Sequence, residues 1–269
     1  MENNQDNANI IEVKNLVKRF GKFTAIDDMS FNVKKGEIFG FLGPNGAGKS
    51  TAIRILTTLS LPTSGEAKVA GHDVVHGQDL LRRQIGLVAE KVILYNRLTA
   101  DENLEFFGSL YHLPKKVVHE RTEKWIHKLH MAEWRKKQVG TFSTGMKQRI
   151  NIIRALLTEP EVLFLDEPTL GLDPQTTHVI RTFLRELNDQ GVTIVLTTHD
   201  MNEAEALSDT VAIVDHGKIA ALDTVENLKK LVPNVKDPTL EDVFLKITGE
   251  ETRDIASGKI ASGRRFGPH

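Results

Sequence analysis

Apolar positions along the chain fall into two rhythms. Ile38-Phe39-Gly40-Phe41-Leu42, Val162-Leu163-Phe164-Leu165 and Val192-Thr193-Ile194-Val195-Leu196-Thr197 are short and almost wholly apolar. Runs of that length predict strands buried on both faces, as in a parallel sheet. Segments 66–70 and 85–89 also read as strands, and 211–214 with 218–221 as a hairpin around Asp215-His216-Gly217. Segment 10–20 has strand character and ends at a Gly21-Lys22 turn. Segment 25–33 is a second extended piece, alternating from Met29 onward, and 34–37 is a turn into the central strand. Together these predict a small antiparallel layer beside a parallel sheet.

The second rhythm is helical. It covers 52–56, a short turn at 80–83, and most of 99–137. Thr99 and Glu102 suit an N-cap and its capping-box partner. Leu104, Phe107 and Leu110-Tyr111 share one face, and Pro114 ends that helix or begins the next. Val117-Val118, Trp125-Ile126, Leu129 and Trp134 continue a second amphipathic run. Ser143 suits the N-cap of a helix over 146–157. Further helices are predicted at 179–187, 202–207, 226–231 and 240–247, while 62–65 reads as a loop. Strands alternating with helices make the core α/β. The polar ends, 1–9 and 249–269, read as a disordered lead and tail. One domain is expected over 10–231, with a helical part at about 94–158 and a helical extension at 232–248.

Composition narrows the setting. A formal net charge of −1 implies no bulk attraction to nucleic acid, and no nucleic-acid partner is expected. The absence of Cys removes disulfides and thiolate metal sites. No apolar run approaches the roughly 20 residues of a membrane helix, so action on a membrane would pass through a partner. Segment 115–137 carries eight Lys or Arg against three Glu. That surplus is either an ordinary solvated helix face or a contact surface for an acidic or membrane-proximal partner.

The chemistry centres on Gly43-Pro44-Asn45-Gly46-Ala47-Gly48-Lys49-Ser50-Thr51, between the 38–42 strand and a helix. This spacing is G-x-x-x-x-G-K-[ST]. Its glycines let the backbone curl so that successive N–H groups point inward, and the helix N-terminus adds positive potential. Lys49 brings a full charge to the β- and γ-phosphates, and the Ser50 hydroxyl can ligate Mg²⁺. Asp166 closes the 162–165 strand, so it faces the same crevice and can hold Mg²⁺. Glu167, one residue on, is placed to polarise a water as general base. The N–H groups behind Ser143 form a second anion site upstream of Asp166.

In this order the residues resemble the ATP-binding cassette (ABC) ATPases over residues 10–231. The resemblance implies a RecA-like P-loop NTPase core with an antiparallel β subdomain and an inserted α-helical subdomain. Gly43 to Thr51 is then the Walker A loop, with Phe20 the aromatic that stacks on adenine. Phe142-Ser143-Thr144-Gly145-Met146 occupies the signature, usually Leu-Ser-Gly-Gly-Gln, and retains Ser143 and Gly145 for anion contact. Val162 to Asp166 is Walker B and Glu167 the catalytic glutamate. Gly171-Leu172-Asp173 resembles the D-loop, and His199 the switch histidine. Glu90 stands where the family usually has a Gln that reaches Mg²⁺ and the attacking water, and the resemblance implies that its carboxylate can coordinate Mg²⁺ as well. Its extra negative charge implies slow hydrolysis.

The resemblance further implies Mg²⁺-dependent ATP hydrolysis by two cassettes paired head to tail, as a homodimer or with a related partner. Ser143 and Gly145 of one copy would complete the site of the other. An integral membrane permease would hold the pair on the cytoplasmic face of the membrane. Pro238-Thr239-Leu240-Glu241-Asp242-Val243-Phe244-Leu245 resembles the C-terminal segment of the subfamily serving ABC-2-type, drug-resistance-like exporters. Two alternatives stay open at the level of sequence: a soluble ATPase acting on ribosomes or DNA, and a module that holds ATP without hydrolysing it.

Overall fold

The computed structural model describes residues 9–249; the disordered lead and tail expected from the sequence lie almost wholly outside them. In chain order the elements begin with β1 (Asn9–Phe20), β2 (Phe23–Lys34), β3 (Ile38–Leu42), α1 (Lys49–Leu56), β4 (Ser64–Val69), β5 (His72–Asp73), α2 (Gln78–Gln84) and β6 (Ile85–Val88). A helical stretch follows: α3 (Ala100–Leu110), α4 (Lys115–Lys128) and α5 (Thr144–Leu156), with two 3-10 turns between the last two. The chain continues with β7 (Val162–Asp166), α6 (Pro174–Asp189), β8 (Thr193–Thr198), α7 (Met201–Leu207), β9 (Thr210–Asp215), β10 (Lys218–Thr224), α8 (Val225–Lys229) and α9 (Leu240–Thr248).

Two sheets result. One is antiparallel, in the order β2-β1-β4-β5, and the other has the order β10-β9-β3-β8-β7-β6. All pairs of the second sheet are parallel except β9 with β10. Every residue of β3, β7 and β8 is buried, as their unbroken apolar runs require. One face of the large sheet packs with α1 against the antiparallel sheet through Phe31, Phe39, Phe41 and Ile53. The other face packs against the helices through Leu163, Leu165, Leu104, Trp125, Ile126 and Ile153. α8 and α9 close a third cluster, with Leu228, Leu240 and Val243 set against Leu42, Ala204 and Ile213.

Local differences from the sequence reading have physical causes. Ser64 and Gly65 belong to β4 rather than a loop, because pairing of Val17 with Ser64 recruits them. α6 starts at Pro174, well before the first apolar position used to predict it; Asp173 caps it and Pro174 supplies a preset φ. Trp134 is not on a continuation of α4. That helix ends at Lys128, and His130, at φ +55°, turns the chain into a 3-10 turn. The capping box of Thr99 and Glu102 is present on α3.

The cationic surplus of 115–137 is met largely by acids of other segments. Arg121 pairs with Glu159 at 2.6 Å and Lys128 with Glu186 at 3.2 Å. Asp101 takes both Arg135, at 2.9 Å, and Lys136, at 3.0 Å. The solvated-face reading therefore describes this segment better than a free basic patch.

Candidate nucleotide site

The loop between β3 and α1 is shaped by close approach of neighbouring backbone. Gly43 has φ +157°, and a Cβ there would lie 2.1 Å from the Val214 carbonyl oxygen. Gly48 caps α1 at φ +108°, and its Cβ would lie 2.5 Å from the Ala25 oxygen. Both contacts are far inside van der Waals range, so these positions accept no side chain without moving β9 or β2. Lys49 opens α1 and is only 4 % exposed. Its Nζ donates to the Gly43 carbonyl at 2.6 Å and the Pro44 carbonyl at 3.1 Å. Burial holds its pKa below the usual lysine value, opposed by the nearby Glu167 and Asp166 carboxylates.

Parallel register brings the other groups to the same edge. Leu42 of β3 lies beside Thr198 of β8, and Thr197 beside Asp166 of β7. The Asp166 Oδ1 accepts from Ser50 Oγ at 2.8 Å and from Thr197 Oγ1 at 2.6 Å. The Ser50 hydroxyl and the Asp166 carboxylate are adjoining hard oxygen donors, a set that fits a small divalent cation. Glu167 departs from strand geometry at φ +50°. Its N–H donates to the Thr197 carbonyl at 3.2 Å and to Thr197 Oγ1 at 3.1 Å. Its carboxylate, 9 % exposed, stands 3.5 Å from Lys49 Nζ through Oε1 and 2.9 Å from His199 Nδ1 through Oε2.

Lys49, Ser50 and Glu167 border a cavity of about 340 Å³, lined by Phe23, Ala25, loop residues 44–51, Glu90, Glu167 and Leu170; Asp166 and His199 stand behind its wall, bonded to Ser50 and Glu167. Glu90 thus shares the cavity with Glu167 and Lys49. Phe20 does not line it. That ring is 53 % exposed at the end of β1, with Lys18 Nζ 4.8 Å from its centre. Phe23, its partner across the hairpin, lines the cavity instead.

Ser143 and Gly145 also lie outside the cavity wall. Ser143 caps α5 by accepting the Met146 N–H at 3.2 Å. A Cβ on Gly145 would come within 2.7 Å of Thr176 Cγ2. The Thr176 N–H in turn donates to Asp173 at 2.8 Å. Segment 142–146 and the Asp173 turn form one packed corner, so within a single chain Ser143 and Gly145 do not meet the 43–51 loop.

Thr197 was not singled out from the sequence. The available signal was two hydroxyl residues, Thr197 and Thr198, closing a run that is otherwise largely aliphatic, just before His199.

Residues 26–170 match the family model described as ABC transporter. The chain is 38 % identical over 249 residues to the doxorubicin resistance ATP-binding protein DrrA of Mycobacterium tuberculosis, covering 93 % of this chain and 73 % of that one. It is 40 % identical over 219 residues to the linearmycin resistance ATP-binding protein LnrL of Bacillus subtilis, covering 81 % and 70 %. It is 39 % identical over 240 residues to the probable multidrug ABC transporter ATP-binding protein YbhF of Escherichia coli; 88 % of this chain is covered but only 41 % of that longer relative. Among solved structures, the ATP-binding subunit of an ABC transporter superposes with a TM-score of 0.80 at 30 % identity, covering 89 % of this chain and 99 % of that one. The dimeric post-hydrolysis state of the cassette MJ0796 bound to ADP and Pi gives 0.72 at 29 % identity, covering 80 % and 98 %.

Proposed function

The chain belongs to the ABC transporter family, and we propose that it is the ATP-hydrolysing subunit of an exporter, acting on a separate membrane permease. The observation that carries this reading is the convergence of Lys49, Ser50, Asp166, Glu167 and His199 on the carboxyl ends of three neighbouring strands. The loop N–H groups and Lys49 hold the phosphates. Lys49 needs only to exchange carbonyl oxygens for phosphate oxygens, a stronger charge-assisted bond. Ser50 and Asp166 would hold Mg²⁺, which neutralises charge on the terminal phosphates. Glu167 accepts the proton of the attacking water; movement of Lys49 to phosphate releases its Oε1, while His199 steadies Oε2. The products are ADP and phosphate.

Ser143 and Gly145 would enter this site from a second copy, or from a related cassette, placed head to tail. That pairing supplies a contact that exists only while the terminal phosphate is present, which is what a switch requires. The permease would dock in a groove of about 410 Å³ whose lining includes Ile93, Tyr111, Lys91 and Arg154. Ala89 and Lys91 line that groove while Glu90 lines the nucleotide cavity, so one short loop touches both. No helix of the described residues is long and apolar enough to cross a membrane. On the transporter reading the chain sits on the cytoplasmic face, held there by the permease. Its nucleotide-binding unit is taken as 10–231, with a helical part near 94–158 and an extension over 232–248. The export direction is inferred from similarity to DrrA and LnrL, which are drug-resistance ATP-binding proteins.

The test is phosphate release by the chain together with whatever membrane subunit copurifies. Lys49→Ala and Glu167→Gln should each abolish it, with Glu167→Gln still binding ATP. Absence of release from the wild type in that complex would defeat the enzyme reading, and copurification with ribosomes instead would defeat the transport reading.

A further inference from the structure

Thr197 has a hydrogen-bonding arrangement with only one solution. Its Oγ1 lies 2.6 Å from Asp166 Oδ1 and 3.1 Å from the Glu167 nitrogen. An ionised carboxylate can only accept and a backbone N–H can only donate, so the hydroxyl proton points to Asp166 and a lone pair to Glu167. The side chain is fully buried, and no water competes for either bond. Both bonds reach across from β8 to the last residue of β7 and the first residue beyond it.

The second bond bears on conformation. Glu167 sits at φ +50°, a left-handed region that residues with a Cβ adopt only at a steric cost. Its N–H is shared between the Thr197 carbonyl at 3.2 Å and the hydroxyl at 3.1 Å. Return to ordinary strand dihedrals would break both bonds and turn the carboxylate away from Lys49 and His199. Asp166 is affected at the same time. Its Oδ1 takes the Ser50 and Thr197 hydroxyls, which fixes the plane of the carboxylate beside the loop.

We infer that Thr197 is a positioning residue for hydrolysis: its one hydroxyl sets the Asp166 carboxylate and the left-handed Glu167 backbone together. It does not line the cavity. The inference rests on the ATPase reading for its rate consequence, but the backbone consequence stands without it.

The experiment compares wild type, Thr197→Val and Thr197→Ser as the full chain, free and with its membrane partner. Three readouts are taken: hydrogen exchange of the Glu167 amide by NMR, affinity for a fluorescent ATP analogue, and kcat. Valine keeps the shape and removes the hydroxyl; serine keeps the hydroxyl. Thr197→Val should exchange the Glu167 amide at least about tenfold faster and lose about tenfold or more in kcat, the scale of one hydrogen bond. Its nucleotide affinity should stay within about threefold, since the phosphate loop is untouched. Thr197→Ser should restore both amide protection and kcat. Wild-type exchange and kcat in the valine variant would overturn the inference. So would a serine variant as impaired as valine, which would make the methyl group, and hence packing, responsible. Should wild type show no hydrolysis even with its partner, the ATPase reading fails while amide exchange still decides the role of Thr197.

Discussion

Glu90 places a second carboxylate in the wall of the nucleotide cavity, and Coulomb's law gives the size of its effect. A cavity of about 340 Å³ is roughly 9 Å across if spherical, so Glu90 would stand within about that distance of a phosphate bound in it. At an effective dielectric constant of about 40, two unit charges at 9 Å repel by about 1 kcal/mol. A terminal phosphate carries nearly two negative charges at neutral pH, which doubles the figure to about 2 kcal/mol. Salt at about 0.1 M screens over about 10 Å, comparable to the separation, and removes part of it. Glu90→Gln should therefore tighten binding of metal-free ATP by about 1–2 kcal/mol, or about five- to thirtyfold. The assay is titration of a fluorescent ATP analogue in EDTA, which removes any contribution of Glu90 as a metal ligand. The gain should shrink in about 0.5 M salt, because screening acts on the repulsion and not on hydrogen bonds. Equal affinities, or a difference indifferent to salt, would refute the electrostatic argument. Hydrolysis offers a second reading: with Mg²⁺ the variant should turn over faster than wild type, and an unchanged rate would refute the expectation that Glu90 slows hydrolysis.

Two further outcomes follow from buried groups. Glu203 on α7 is 1 % exposed; burial raises its pKa, against hydrogen bonds from Thr169 and Thr198 and the charge of Arg181. A carboxyl whose folded pKa is raised contributes stability that is full below its unfolded pKa and is lost as pH rises through the folded value. Glu203→Gln retains an acceptor for Thr169, 2.6 Å away, and should stabilise the fold by about 1 kcal/mol at neutral pH. In urea melts the gap from wild type should close toward about pH 4.5, and a gap that widens in acid would reverse the sign argued here. Gly43→Ala must drive a Cβ into the Val214 oxygen 2.1 Å away, so β3 and β9 have to part. It should lower stability by about 3 kcal/mol or more and weaken ATP binding together; a variant that binds ATP normally with unaltered melting would contradict the close approach.

Much of this molecule was legible in its order of residues because the strongest signals are local. An apolar run of strand length, a glycine pattern ending in Lys49-Ser50 and an apolar strand closing in Asp166-Glu167 each declare their chemistry within a few residues. Parallel strands in one sheet then bring their carboxyl ends together whatever the details of packing, which is why Lys49, Asp166 and Glu167 group from the sequence itself, while His199 joins them only through the family resemblance. Element ends were less legible, as at α6, where the first turn has no apolar rhythm and depends on Asp173 and Pro174.

What the tertiary structure alone decided depends on register and on side-chain direction. That Phe23 rather than Phe20 lines the cavity is a matter of which side of a twisted hairpin faces the loop. That Thr197 bridges Asp166 and Glu167 follows from the pairing of β7 with β8, residues separated by some thirty positions in the chain. The pairing of Arg121, Lys128, Arg135 and Lys136 with Glu159, Glu186 and Asp101 is likewise invisible to a count of local charge. The separation of Ser143 and Gly145 from the cavity is set by the packing of α5 on α6. The chain's own order named the parts of the nucleotide site. Long-range contacts determined that Ser143 and Gly145 lie apart from the 43–51 loop, because α5 packs on one face of the large sheet and α1 on the other.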